Sequence, residues 1–118
     1  MQLADVSFQV VEGVQVATIS GEVDASNCGE IAARLETAMS DEEPGLVIDL
    51  SDTTYLDSSG IDVLFETARH LDRHQQELRV VVPAESFIAD VLTTVSWEST
   101  GVIDRTVAEA VAALRPSP

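Results

Sequence analysis

The 118-residue chain contains no lysine and a single cysteine. Cys28 alone excludes an internal disulfide framework and is typical of a reducing compartment. No run approaches the roughly 20 apolar residues that a membrane span needs, and the N-terminal stretch MQLADVSF lacks the features of a signal peptide. We therefore expect a cytoplasmic protein with one domain over residues 1–115, followed by a short tail at 116–118.

Charge of one sign dominates the chain. Six arginines stand against 21 acidic residues, which gives a net charge of -15. Nucleic acids and anionic membranes would be repelled by this surface, so neither is expected as a partner. The acidity favours solubility and leaves open a partner with a basic face. The acidity is equally compatible with a generally acidic protein surface that has no specific function.

The apolar pattern predicts strands that alternate with helices. VSFQVV (6–11) and VQVATIS (14–20) flank Glu12-Gly13 and predict a hairpin. LVIDL (46–50) and LRVVVP (78–83) predict buried strands. Apolar residues recur with the helical period in four further segments, whose stripes begin at Ile31, Ile61, Phe87 and Val107. The residues GVID, ahead of the last helix, predict a short final strand.

Helix starts and strand order complete this prediction. Asn27 with Glu30, and Thr106 with Glu109, have the spacing of capping boxes. An initial hairpin followed by alternating strands and helices predicts an α/β domain with a mostly parallel sheet and right-handed crossovers. Loops at the carboxyl ends of such strands commonly carry function. The stretch SDTTYLDSSG (51–60) is predicted as such a loop, leading into the second helix.

The sequence DSSG at Asp57–Gly60 combines an acidic side chain, two hydroxyls and a glycine at a helix start. An oxygen of Asp57, Ser58 or Ser59 would cap the free backbone N–H groups, and Gly60 would let another group come close. A phosphoryl group on either serine would suit this helix end and add about −1.5 to −2 charges. These residues alone therefore fit either a simple helix start or a phosphorylation switch.

The stretch VIDLSDTTYLDSSGIDVL closely resembles the core signature of STAS domains, specifically bacterial anti-sigma factor antagonists. GEVD, at Gly21–Asp24 ahead of the first helix, resembles a second element of that family, and the order of strands and helices agrees over nearly the whole chain. The resemblance implies an N-terminal hairpin, repeated β-α units and a small mixed sheet with helices mainly on one side. The segment around Trp97 is shorter than in the family, which leaves the last strand open.

The resemblance also implies a function. Unphosphorylated protein would bind an anti-sigma factor that is a serine kinase, and so release the sigma factor. The kinase would phosphorylate Ser58 and separate the pair, and a metal-dependent serine phosphatase would reset the system. The protein would not be an enzyme and would need no cofactor. The residues expected at the partner-binding surface are Glu22, Asp24, Asp57, Ser58, Ser59, Gly60 and Asp62.

Two other functions remain open at this stage. Some STAS domains are non-phosphorylated subunits of lipid-transport or stress-signalling complexes, although the intact serine of DSSG favours the switch. A nucleotide or small-molecule sensor is the second alternative, but the sequence has no glycine-rich phosphate loop. Cys28 lies near a helix start, where redox control is conceivable, although its residue type favours a small buried side chain.

Other site types find little support in the residues. LVIDLSD also resembles a response-regulator receiver, but receivers need a lysine and this chain has none. His70 and His74 have a metal-binding spacing, yet Arg69 and Arg73 surround them and no third ligand is in register. A hydrolase triad built on Ser58 would require a G-x-S-x-G elbow, which is missing.

Overall fold

The computed structural model describes residues 4–39, 43–97 and 100–115, and the expected tail at 116–118 lies outside them. These residues form six strands and four α-helices. In chain order they are β1 (Ala4–Val11), β2 (Val14–Val23), α1 (Cys28–Ala38), β3 (Gly45–Asp49), β4 (Thr53–Leu56), α2 (Ser58–Arg73), β5 (Glu77–Val81), α3 (Phe87–Thr94), β6 (Val102–Asp104) and α4 (Val107–Leu114).

The strands form one mixed sheet in the order β1-β2-β3-β5-β6, and β4 pairs with β2 beyond β3. The hairpin strands β1 and β2 are antiparallel, whereas the other pairs are parallel. Strand β2 is long enough to bond β3 along 15–18 and β4 along 21–23. The predicted hairpin and mixed sheet are therefore confirmed, and the long strand β2 brings two shorter strands into line.

Helices cover both faces of the sheet unequally. The larger core lies between the sheet and α1, α2 and α3, with Leu35, Leu64 and Leu92 buried in it. The smaller core joins Val111 of α4 to Val47 and its neighbours on the opposite face. Side chains alternate between the two faces of a strand, so adjacent apolar residues of one strand serve both cores. Three helices thus lie on one face, as expected.

Two short strands were not clearly predicted from the local sequence pattern. The sequence predicted a loop over 51–60, but Thr53–Leu56 forms β4. Thr53 is buried there, and its hydroxyl donates a hydrogen bond to the carbonyl oxygen of Ile19 at 2.6 Å. The last strand, which the sequence left open, forms as β6 in parallel register with β5.

The chain around Trp97 belongs to the protein interior. Trp97 is completely buried, and its ring packs edge-on against Phe65 of α2, with ring centroids 5.0 Å apart. A Cβ atom at Gly101 would come within 2.7 Å of this indole, so the turn into β6 closes directly over the ring. No helix among the residues described combines the length and apolar composition that a bilayer span requires.

Candidate functional site

Strands β2 and β4 end side by side at the carboxyl edge of the sheet, and each is followed by an aspartate. Val23 and Leu56 are register partners in this parallel pair, so Asp24 and Asp57 follow at equivalent positions. The backbone N–H of Asp57 donates to the carbonyl oxygen of Val23 at 3.2 Å. The fold therefore brings the GEVD and DSSG motifs together, although 32 residues separate them in the sequence.

Asp57 caps helix α2. Its Oδ1 accepts hydrogen bonds from the backbone N–H groups of Ser59 at 2.9 Å and Gly60 at 3.2 Å. The carbonyl oxygen of Asp57 accepts the first helical hydrogen bond, from Ile61 at 3.0 Å. Two N–H groups that have no partner within the helix are thereby satisfied by one carboxylate. Capping is thus performed by Asp57, and the serine hydroxyls of the motif are not used for it.

Ser58 is the first residue of α2 and is exposed. Its hydroxyl forms no hydrogen bond with any of the residues that the structure describes. Ser59, the next residue, is only partly exposed. An exposed hydroxyl without an intramolecular bond can be approached by a second protein and can change its rotamer at little cost. Of the two motif serines, Ser58 is therefore the more accessible to a second protein.

Gly60 has a packing role that the sequence analysis did not identify. It is buried, and a Cβ atom at this position would lie 2.4 Å from Leu56 Cδ1 and 2.9 Å from Val23 Cγ1. The close approach that glycine permits is therefore made by the protein's own side chains. Because it has no side chain, Gly60 allows the first turn of α2 to pack directly against the ends of β2 and β4. It thereby supports the position of Ser58, and it is itself buried and not available for contact with a partner.

The β2–α1 loop has a different hydrogen-bond arrangement. The Asp24 carboxylate accepts hydrogen bonds from the Ser26 hydroxyl at 2.5 Å and the Ser26 N–H at 2.9 Å. The hydroxyl bond is the main reason why the pKa of Asp24 is lowered from its ordinary value, and the two backbone N–H groups of Ser26 and Asn27 contribute further. A proton on this carboxylate would weaken those bonds, so the ionised form is favoured.

Asn27 holds the same loop together and does not form the predicted capping box. Its Oδ1 accepts from the Asp24 N–H at 3.0 Å, and its Nδ2 donates to the Glu22 carbonyl oxygen at 2.8 Å. The side chain makes no capping bond to α1 although it lies at the N-cap position. That prediction was wrong, because the preceding backbone competes for the amide. The box predicted at Thr106 and Glu109 is present in both directions.

Acidic residues lie around Ser58, and the GEVD and DSSG motifs contain no arginine that would offset their charge. Glu22 and Asp62 are exposed, whereas Asp24 and Asp57 are partly buried and hydrogen-bonded. The exposed carboxylates of Glu22 and Asp62 therefore add negative potential at the strand ends and just beyond the first turn of α2. The residues expected at a partner-binding surface lie on adjoining elements, except that Gly60 is buried among them.

Sequence reasoning missed Tyr55 as a surface residue. Its side chain is 43% exposed, and its register partner on β2 is Glu22, so an exposed aromatic ring lies on the strand pair that carries both motifs. Aromatic residues are frequent anchors of protein contacts. The sequence carried no clear signal for it, because β4 has only four residues, its burial does not alternate, and its register against β2 is irregular.

The remaining candidates are the histidine pair at the far end of α2 and Cys28, whose backbone N–H donates to the Asp24 carbonyl oxygen at 2.9 Å. His70 and His74 stack with ring centroids 4.8 Å apart, and His74 Nδ1 lies 2.8 Å from the His70 carbonyl oxygen. Within the described ranges, no three histidine, cysteine or acidic side chains are grouped to hold a metal ion. Cys28 is partly buried, with its Sγ 3.9 Å from the Ala25 carbonyl oxygen.

Known structures show the same architecture. An anti-sigma factor antagonist from Mycobacterium paratuberculosis superposes with a TM-score of 0.85 at 25% identity, covering 96% of this chain and 95% of that one. The anti-sigma factor antagonist SpoIIAA in its unphosphorylated form gives a TM-score of 0.72 at 18% identity and covers 96% and 100%. The Bacillus cell fate determinant SpoIIAA in its phosphorylated form gives 0.68 at 19% identity and covers 94% and 100%.

Sequence comparison places the chain in a family. No curated protein sequence matches it significantly. The STAS domain family, however, matches residues 5–110, from the first strand into the last helix. That range includes both motifs at the carboxyl edge of the sheet. The chain therefore belongs to the STAS domain family.

Proposed function

We propose that this protein is an anti-sigma factor antagonist that is switched by phosphorylation of Ser58. In the unphosphorylated state it binds a kinase-type anti-sigma factor, and the sigma factor is released. The observation that carries the proposal is the exposed Ser58 hydroxyl, free of hydrogen bonds to the described residues, at the capped start of α2. Membership of the STAS family supports it, as do similar structures that are anti-sigma factor antagonists, one of them phosphorylated.

The switching step is an ordinary phosphoryl transfer. A bond forms between Ser58 Oγ and the γ-phosphorus of ATP, and the bond from that phosphorus to the β,γ-bridging oxygen breaks. ADP leaves, and the hydroxyl proton passes to a base that the kinase supplies. The antagonist is the substrate in this reaction and contributes no catalytic residue. A metal-dependent serine phosphatase in the same cytoplasm would hydrolyse the ester and restore the hydroxyl.

Added charge ends the interaction because the contact is built around a neutral hydroxyl. Phosphoserine brings about −1.5 to −2 charges to a position already flanked by Asp57 and Asp62. A partner that covers Ser58 would have to desolvate this dianion, and any acidic group on the partner would repel it. The helix beneath remains intact, because negative charge is favourable at a helix N-terminus.

The proposed contact surface comprises both strand ends. Glu22, Asp24 and Ser59 flank Ser58, Asp62 extends the surface along α2, and Tyr55 adds an exposed ring. Gly60 belongs to the site as a packing residue. A partner surface with basic side chains around an apolar centre would be complementary to this combination.

The proposal is tested by incubating the protein with candidate kinase-type anti-sigma factors and ATP, followed by intact-mass measurement. We expect one added phosphate, which is lost in Ser58→Ala. Ser26→Ala is the matched control, because Ser26 is also exposed, in the loop ahead of α1, but its hydroxyl is bonded to Asp24. This variant should be phosphorylated like the wild type. Binding without phosphorylation would instead favour the non-phosphorylated subunit of a larger complex. Modification of Ser26 or Ser59 would contradict the assignment to Ser58.

A further inference from the structure

The Asp57 carboxylate occupies the position that a phosphate at the start of α2 would otherwise take. Its Oδ1 holds the N–H groups of Ser59 and Gly60 at 2.9 and 3.2 Å. Backbone N–H groups and the helix dipole make a helix N-terminus attractive to phosphate. Phosphoserine at such a position commonly forms new charge-assisted hydrogen bonds with the backbone. In this chain two of those donors, the N–H groups of Ser59 and Gly60, are already bonded to the residue just before Ser58.

Asp57 is also held in place from the opposite side. The backbone N–H of Asp57 donates to the Val23 carbonyl oxygen at 3.2 Å, and its own carbonyl oxygen accepts from the Ile61 N–H at 3.0 Å. The backbone that carries the carboxylate is therefore fixed between β2 and α2. A phosphoryl group on Ser58 would have to displace a carboxylate from a fixed backbone to reach the donors. The two anions would also repel each other at short range.

We propose that Asp57 is a positioning residue that excludes the phosphoryl group of Ser58 from the helix N-terminus and so keeps it facing outward. The biological consequence rests on the proposed function: an outward phosphate confronts the anti-sigma factor and remains open to the phosphatase. Without Asp57, the backbone N–H groups of Ser59 and Gly60 would bind the phosphate. The modified protein would then be more stable but slower to reset.

The experiment requires no kinase, because phosphoserine is introduced at position 58 during translation by an expanded genetic code. Thermal unfolding is measured with serine and with phosphoserine at this position, in the wild type, Asp57→Ala, Asp57→Gly and Asp57→Asn. Glycine is tolerated at an N-cap with little loss of stability, so Asp57→Gly frees the donors even if Asp57→Ala folds poorly. Asp57→Asn keeps a capping oxygen but removes its charge.

We expect unmodified Asp57→Ala to unfold about 4–8 °C below the wild type, as loss of an N-cap implies in a small domain. Phosphoserine should recover at least half of that loss in Asp57→Ala, and should raise the midpoint of Asp57→Gly. In the wild type and in Asp57→Asn, where the donors stay occupied, any rise of the midpoint should be clearly smaller, because only the helix dipole favours the added charge. A metal-dependent serine phosphatase should release phosphate several-fold more slowly from Asp57→Gly than from the wild type.

Two results would overturn the inference. If phosphoserine shifts the unfolding midpoint equally in the wild type, Asp57→Ala and Asp57→Gly, Asp57 does not exclude the phosphate. If phosphoserine raises the unfolding midpoint of Asp57→Asn as much as that of Asp57→Ala, the charge of Asp57 is what matters. Its hydrogen bonds to the N–H groups of Ser59 and Gly60 would then not be the cause. Neither result depends on a kinase, so the proposed function would still stand if Ser58 is phosphorylated by its anti-sigma factor.

Discussion

The β2–α1 and β4–α2 connections begin alike and end differently. In each connection an aspartate comes directly after the last residue of a strand. Those last residues, Val23 and Leu56, are both apolar and are register partners. Four residues then separate β2 from α1, whereas Asp57 alone separates β4 from α2. The short connection forces Asp57 to cap its helix, while the longer one lets Asp24 turn back onto its own loop.

This difference decides the state of the nearby hydroxyls. In the longer connection the Ser26 hydroxyl donates to Asp24 at 2.5 Å, and a kinase would have to break that bond. In the shorter connection the carboxylate accepts from the N–H groups of Ser59 and Gly60, and no bond among the described residues joins it to the Ser58 hydroxyl. An aspartate next to a serine therefore does not by itself mark a modification site, because the length of the connection determines which group the carboxylate takes.

The largest effect should come from the glycines in the first turns of α1 and α2. In Gly60→Ala the new methyl group would meet Leu56 and Val23 at 2.4 and 2.9 Å, so we expect a loss of about 1–3 kcal/mol in the free energy of unfolding. Gly29→Ala is the matched change in α1, where nothing lies within 4 Å, and helix propensity should give a gain of up to about 1 kcal/mol. Urea denaturation measures both, and equal changes in the two variants would contradict the packing role of Gly60.

Much of this fold could be predicted from apolar periodicity. The hairpin, the buried strands and the four helical stripes each depend on residues a few positions apart. Strand β4 could not be predicted in this way, because its four residues are held by distant groups: Thr53 bonds Ile19, and its backbone pairs with the end of β2. The last strand was foreseen only as a possibility, since three residues give almost no period.

The site shows the same limit at the level of side chains. The DSSG motif predicted a helix start and an oxygen cap, both of which are local properties. The role of Gly60 depends on Val23, which lies 37 positions earlier in the printed sequence and adjoins it only after β2 and β4 pair. The spacing of Asn27 and Glu30 predicted a capping box that does not form, because Asn27 bonds Glu22 and Asp24 instead.

Acidic substitution at Ser58, compared with the same change at Ser26, gives the next largest effect. We expect Ser58→Glu to weaken binding to the anti-sigma factor by at least about tenfold, or about 1.4 kcal/mol, because a charge must be desolvated at the centre of the contact. Ser26→Glu places the same charge on the neighbouring connection and should cost clearly less. Titration calorimetry measures both affinities, and circular dichroism should remain unchanged for Ser58→Glu, since a carboxylate suits the first helical turn. Loss of helicity in this variant would refute a switch that acts only at the surface.

The smallest effect concerns the titration of Asp24. Removing the Ser26 hydroxyl in Ser26→Ala should raise the pKa of Asp24 toward its ordinary value of 3.8, while the bonds from the backbone N–H groups keep it somewhat below that value. Because the pKa is lowered on folding, the hydroxyl bond stabilises the fold above the ordinary pKa and this contribution is lost as pH falls through the lowered one. The stability of Ser26→Ala should therefore approach that of the wild type in acid below about pH 4. Carboxyl-carbon NMR measures the titration directly. Ser58→Ala is the control, and it should leave the pKa of Asp24 unmoved; a comparable shift in that variant would mean that the Ser58 hydroxyl is coupled to the Asp24 loop and that the two connections are not independent.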